Sequence, residues 1–340
     1  MRNLEKEMGV IFNPLNDDSR RGRVTDYHCK ADPIKRTKAK NFDIRGLKNI
    51  DIQNVLTSDD GVESRFTIGL EVEKNRLHRN AVKEYPLFCG FETDPSCGYE
   101  AVTHILPLVA PSMWRTKVFN MFVEAKKIIE DEYSPSDYRC GGHISVGCEG
   151  EYNDVELLEK VRSYSGIILA IWRDRIPNYY CGSSRGNVTM AYTLDNDKYS
   201  VAKRTTFGVE FRLPTAVQSV KQLMRRYEIF YTLMDCAINQ KSHRVFYSAL
   251  RPILLSMYGR GSEKLVDDVI NLGKVMQRYI NSGSVNQANC GWLEGWTNPH
   301  DRRAGVLRRW YVRGFQGCTP ENDNQFQREN ERLISQPYGI

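Results

Sequence analysis

Residues 66–73 read FTIGLEVE, and this stretch decides the fold. Along an extended chain Phe66, Ile68, Leu70 and Val72 point one way, and Thr67, Gly69, Glu71 and Glu73 the other. Such period-two alternation predicts a half-buried strand. Its polar face sets two carboxylates side by side. Two later segments repeat the design. In 141–147, GGHISVG, Ile144 and Val146 take the apolar face, leaving His143, Ser145 and Gly147 opposite. In 208–213, GVEFRL, Val209, Phe211 and Leu213 oppose Glu210 and Arg212. A solvated sheet face often carries Glu-x-Glu, so one such strand means little. Three strands presenting Glu-x-Glu, His and Glu-x-Arg on their polar faces mean more.

Outward from these strands the pattern changes. Residues 91–106, FETDPSCGYEAVTHIL, hold Glu92, Asp94 and Glu100 around a Pro-Ser-Cys-Gly turn suited to chain reversal. Helical spacing of apolar residues predicts a helix over 113–131, with Ser112 as N-cap, and another over about 153–173. Residues 215–281 read as two or three long helices, with Pro214 placed for the first turn of the first. Residues 1–60 carry Arg20, Arg21, Arg23, Lys35, Arg36, Lys38 and Lys40 but few large apolar clusters, which predicts an extended or partly ordered basic arm. A folded unit then spans 61–281, and 282–340 is an irregular region rich in Trp and Arg.

The whole chain has 340 residues, 41% apolar and 26% charged, as a soluble globular protein does. No run approaches the 18 apolar residues of a membrane span, and MRNLEKEMGV lacks a signal-peptide pattern. Nine cysteines without a CxxC pair predict reduced thiols in a cytoplasm. The net charge of +6 is too mild to name nucleic acid as partner, though it suits substrates bearing phosphate or carboxylate. A carboxylate cluster repels itself unless a cation neutralises it. Carboxylate-dominated sites suit magnesium or manganese, whereas zinc prefers imidazole and thiolate. HExxH, GxxxxGK[ST] and GxGxxG are all absent, so any nucleotide must be held through metals and arginines.

The order of a Glu-x-Glu strand, Asp-x-Ser followed by Glu, a Gly-Gly-His strand and a Glu-Phe-Arg strand resembles the amidoligases, carboxylate–amine ligases of the glutamine synthetase and glutamate–cysteine ligase superfamily. The resemblance covers roughly residues 65–215. It implies an α+β fold, a curved, mainly antiparallel sheet of glutamine synthetase-like type with helices packed behind, and a concave face for two divalent ions and ATP. By position it implies metal ligation by Glu71, Glu73, Asp94, Glu100, His143 and Glu210. Arg212, Arg173 and Arg175 take catalytic positions; Arg212, Arg185, Lys198, Ser96 and Ser145 take nucleotide-binding ones. Where the family writes Gly-x-His-x-His, Ser145 replaces the second histidine. The expected function is ATP-dependent amide formation through an acyl phosphate, with Mg²⁺ or Mn²⁺, on small-molecule or peptide acids and amines. A phosphotransferase or ATPase on the same sheet, or an inactive binding protein, fits the same residues. Oligomeric state is not legible here.

Overall fold

The computed structural model describes residues 32–33, 56–57, 63–64, 66–82, 84–85, 87–94, 97–103, 106–110, 122–130, 140–148, 152, 154–172, 201–205 and 208–282. Most of the basic arm, the Trp/Arg-rich region, Ser112, and the expected site residues Ser96, Arg173, Arg175, Arg185 and Lys198 lie outside them.

The alternating stretch is β4 (Phe66–Lys74), in the interior of an open sheet. Its companions are β1 (Asp32–Pro33), β5 (Phe88–Asp94), β6 (Gly98–Thr103), β7 (Leu106–Pro107), β8 (Ile144–Cys148), β9 (Ala202–Thr205) and β10 (Gly208–Phe211). The order is β1-β5-β6-β4-β8-β10-β9, with β7 also on β4, and every ladder is antiparallel. A separate two-stranded ladder joins β2 (Leu56–Thr57) to β3 (Glu63–Ser64). Pro33, which has no N–H to give, sits in the edge strand β1, where a missing donor is tolerated. β4 departs from expectation: both of its faces are buried, the apolar one in the main core and the polar one among the clustered site side chains.

The apolar face carries Ile68, Leu70, Ile144, Val146, Val209 and Phe211, all at most 1% exposed, and helices close over it. The long helices are α5 (Val220–Ile238), α6 (His243–Tyr258) and α7 (Glu263–Ser282). Phe230 of α5 meets Phe211 edge-on at 5.0 Å, and the Tyr227 hydroxyl accepts from Val109 N–H at 2.9 Å. Pro214 is not in the first turn of α5. Ser219 caps that helix by accepting from Gln222 N–H, and the Pro214 carbonyl instead accepts from Gly142 N–H at 2.9 Å.

The short helices are α1 (Arg79–Val82), α2 (Lys126–Ile129), α3 (Asp154–Arg162) and α4 (Gly166–Ile171). The single helix expected near 153–173 is thus two. Its break has a local cause: Gly166 N–H donates to Gln277 Oε1 at 2.9 Å, and Gln277 Nε2 donates to the Arg162 carbonyl at 3.0 Å. The buried Gln277 amide replaces the bond that Gly166 would have made to Arg162 in one continuous helix. Only glycine fits there, since a Cβ on Gly166 would lie 2.4 Å from the Gly273 carbonyl oxygen.

Candidate active site

Opposite residues in an antiparallel ladder present their side chains on one face, so the registers assemble the site. Glu92 of β5 stands opposite Glu100 of β6, and Glu100 opposite Glu73 of β4. One row of three glutamates therefore crosses three strands. On the other side of β4, Ser145 stands opposite both Gly69 and Glu210, and Glu210 opposite Lys203 of β9. Glu71 N–H donates to the His143 carbonyl at 3.2 Å, which carries the β4–β8 ladder to the imidazole.

The side chains converge. His143 Nδ1 lies 2.6 Å from Glu71 Oε2, 3.2 Å from Glu73 Oε1 and 3.9 Å from Glu210 Oε1. Glu73 Oε2 accepts from Gly141 N–H at 2.5 Å. Glu71, Glu73, Glu100, His143, Ser145 and Glu210 are all buried. The glycine pair before His143 has a steric reason. A Cβ on Gly141 would lie 2.5 Å from His143 Nε2 and 2.9 Å from Glu73 Oε1. On Gly142 it would lie 2.3 Å from the Thr215 carbonyl oxygen and 2.4 Å from Arg226 Nη1. Buried Arg226 of α5 holds that wall, donating to the Thr215 carbonyl at 2.5 Å and to Thr215 Oγ1 at 3.0 Å.

The face is electrically divided. Glu71, Glu73, Glu92 and Glu100 occupy β4, β5 and β6, while Glu210 on β10 pairs with Lys203 at 2.8 Å and with Arg212. Burial works against the Arg212 charge, but the Glu210, Glu71 and Glu73 carboxylates outweigh it and hold its proton more tightly than in water. One end of the face thus offers oxygen donors to cations, and the other offers cations to anions.

Two groups of donor atoms each lie within 4.8 Å of one another: Glu71, Glu73 and His143, and Glu73, Cys97 and Glu100. Glu73 belongs to both. A carboxylate-dominated set with one imidazole suits a divalent cation such as Mg²⁺ or Mn²⁺, so the residues present fit the ions the resemblance implies.

Of the expected residues, the fold gathers Glu71, Glu73, Glu100, His143, Ser145, Glu210 and Arg212 on one face. Asp94 is half-buried at the end of the β5–β6 hairpin, opposite Gly98 and outside both donor groups. Thr103, three residues beyond Glu100, is buried and accepts from Leu70 N–H at 2.9 Å. Glu92, noted beside Asp94 and Glu100 in the sequence but given no role by the resemblance, joins the site, as do Lys203 and Cys97. Glu92 and Lys203 had a signal, each lying an even number of residues from a site residue or across a short hairpin from one. Cys97 had none.

No family model matches the chain, and no curated protein matches it. Among solved structures, the chain is similar to one in the crystal structure of the complex between prokaryotic ubiquitin-like protein Pup and its ligase PafA. The TM-score is 0.33 and the identity 11%, over 85% of this chain and 78% of that one. Similarity at that level assigns neither fold nor activity. Among the described residues, no helix is long and apolar enough to cross a membrane.

Proposed function

We propose that this chain is an ATP-dependent carboxylate–amine ligase built on a glutamine synthetase-like sheet. One observation carries the reading: a buried carboxylate–imidazole cluster and a Lys203–Glu210–Arg212 cationic pair share one sheet face.

A carboxylate does not condense with an amine at neutral pH, because its oxygen is a poor leaving group. ATP supplies a phosphoryl group that turns that oxygen into phosphate, and divalent ions supply charge neutralisation around the polyphosphate. Glu71, Glu73, Glu100, His143 and Glu210 would hold the ions, with Asp94 at the rim. Arg212 would grip the transferring phosphoryl group through its planar fork, and Lys203 would share the charge of Glu210 when Arg212 turns to its ligand. Arg173, Arg175, Arg185, Lys198, Ser96 and Ser145 complete the proposed nucleotide and phosphate set. No serine or cysteine nucleophile is required, since the substrate carboxylate itself attacks. The folded unit is proposed to run from 61 to 281, with the arm before it and the region after 282 available to exclude water from the acyl phosphate.

The test is an ADP-release screen with ATP, Mg²⁺ and a panel of amino acids and peptides, run with hydroxylamine. An acid that is activated accelerates ADP release and yields a hydroxamate. ADP release without hydroxamate or amide, on any acid, would make the protein an ATPase or phosphotransferase. Nucleotide binding with no turnover would make it a binding protein.

A further inference from the structure

Cys97 and Cys140 are separated by 43 residues, yet the Cys140 thiol reaches the Cys97 backbone and the two residues share one buried cluster. The Cys140 thiol lies 3.9 Å from the Cys97 carbonyl oxygen and 3.6 Å from Asn75 Oδ1. The Cys97 thiol in turn lies 4.0 Å from the Tyr99 carbonyl oxygen. Both residues are buried, 2% and 1% exposed, and with Ala216 they form a small cluster apart from the main core.

The topology makes this contact unusual. Cys97 immediately precedes β6 and Cys140 precedes β8, and β4 runs between those two strands. Strands two positions apart in a sheet lie roughly 9–10 Å from each other, too wide for a disulfide, whose Cα atoms are about 4.4–6.8 Å apart. The two cysteines can come together only beyond the last residue of β4, where no strand runs between them. That is where they are. Asn75 directly follows β4, contacts the Cys140 thiol, and has its carbonyl oxygen 2.7 Å from where a Gly98 Cβ would stand. The pair spans the end of the interior strand.

Each cysteine also lies three residues ahead of a site residue, Cys97 before Glu100 and Cys140 before His143. We propose that Cys97–Cys140 is a redox-responsive dithiol that closes, under hydrogen peroxide, into a disulfide strapping β6 to β8 across the end of β4. The first thiol sulfur attacks one peroxide oxygen. The O–O bond breaks, water leaves with the thiol proton, and the sulfur becomes a sulfenic acid. The second sulfur then attacks it, the S–O bond breaks, and a second water leaves with the second proton. The dithiol loses two electrons and the peroxide gains them. A dithiol reductant reverses the bond by exchange. In a reducing compartment such a bridge is transient and regulatory rather than a permanent frame. This inference does not depend on the ligase reading, and its readouts involve no turnover.

The experiment treats the full-length native protein with hydrogen peroxide, blocks residual thiols with iodoacetamide, digests without reductant and maps linked peptides by mass spectrometry. The expected result is one intramolecular link joining the Cys97 and Cys140 peptides, removed by dithiothreitol. Melting of the oxidised protein should rise by about 5–10 °C, the scale for closing a loop of this length. The rise should be absent in Cys140→Ser. The mapping uses the unsubstituted chain, so it stands whether or not the variant folds. Recovery of both residues as free thiols or sulfinic acids, while other cysteines have oxidised, would overturn the proposal. So would an equal rise in melting temperature in Cys140→Ser.

Discussion

Replacing Glu73 by glutamine should stabilise the metal-free protein and destabilise the metal-loaded one relative to the unsubstituted chain. Glu73 offers an oxygen within 4.8 Å of one from Glu71 and of one from Glu100. At an effective dielectric of about 20, two like charges at the 4.8 Å limit of those groups repel by about 3.5 kcal/mol. The Arg212 guanidinium, drawn to the same carboxylates, offsets part of that. Glutamine keeps an acceptor for Gly141 N–H but removes the charge, so relief of about 1 kcal/mol, or 2–4 °C in melting, is a conservative expectation without metal. A cation at a hundred times its dissociation constant stabilises by about 2.7 kcal/mol, which corresponds to roughly 5–10 °C. Glu73→Gln should lose most of that gain. The assay is thermal melting in EDTA and then across a Mn²⁺ titration. The two melting curves should exchange order. A variant that melts lower in EDTA, or keeps the full Mn²⁺ shift, would refute the assignment of Glu73 to both donor groups.

Other outcomes can be stated more briefly. Arg212→Lys should lower turnover about 10²–10³-fold while changing nucleotide affinity far less, measured by ADP release and by equilibrium binding. Near-normal turnover would leave Arg212 as a structural partner of Glu210. Gly208→Ala should lower stability by about 2–3 kcal/mol in urea unfolding, because its Cβ would lie 2.0 Å from the Val146 carbonyl oxygen in a paired strand; an unchanged midpoint would contradict that packing. Burial pushes the Tyr247 phenol up from 10.0 to about 12, so the folded chain keeps a proton that the unfolded chain has already released. The stability this contributes is complete below pH 10 and lost as pH climbs to 12, a fall of up to about 2 kcal/mol, and it should vanish in Tyr247→Phe.

The strands that announce themselves in the sequence are those whose apolar half is strong: Phe66 to Val72, Ile144 and Val146, Val209 and Phe211. In each, the predicted split of faces matches the registers of β4, β8 and β10. The three long helices are likewise readable, because their apolar residues recur at helical spacing over many turns. The β5–β6 hairpin is legible as a reversal but not as two site-bearing strands. Placing Glu92 beside Glu100 needs the register, in which Asp94 stands opposite Gly98, and turn composition alone does not announce it. Lys203 enters the site only through its pairing with Glu210 across a hairpin. The break between α3 and α4 is imposed by Gln277, 111 residues away from Gly166, and so has no local signal at all. Burial of the polar face of β4 escapes the same way: alternation reports which side a residue faces, not what comes to cover it.

Glu92, Glu100 and Glu73 stand abreast on adjoining strands, whose spacing of about 4.8 Å is fixed by backbone hydrogen bonding. The interval between these carboxylates is thus a lattice constant of the sheet rather than a choice of side chain or loop. It would survive exchange of every connecting segment. It would not survive a slip of β5 or β6 by one residue, and that slip would also turn Phe91 and Ala101, now buried, onto the acidic face. A nascent chain with misaligned carboxylates therefore exposes grease as well. Any proofreading that rejects badly packed copies of this protein inspects its chemistry in the same act.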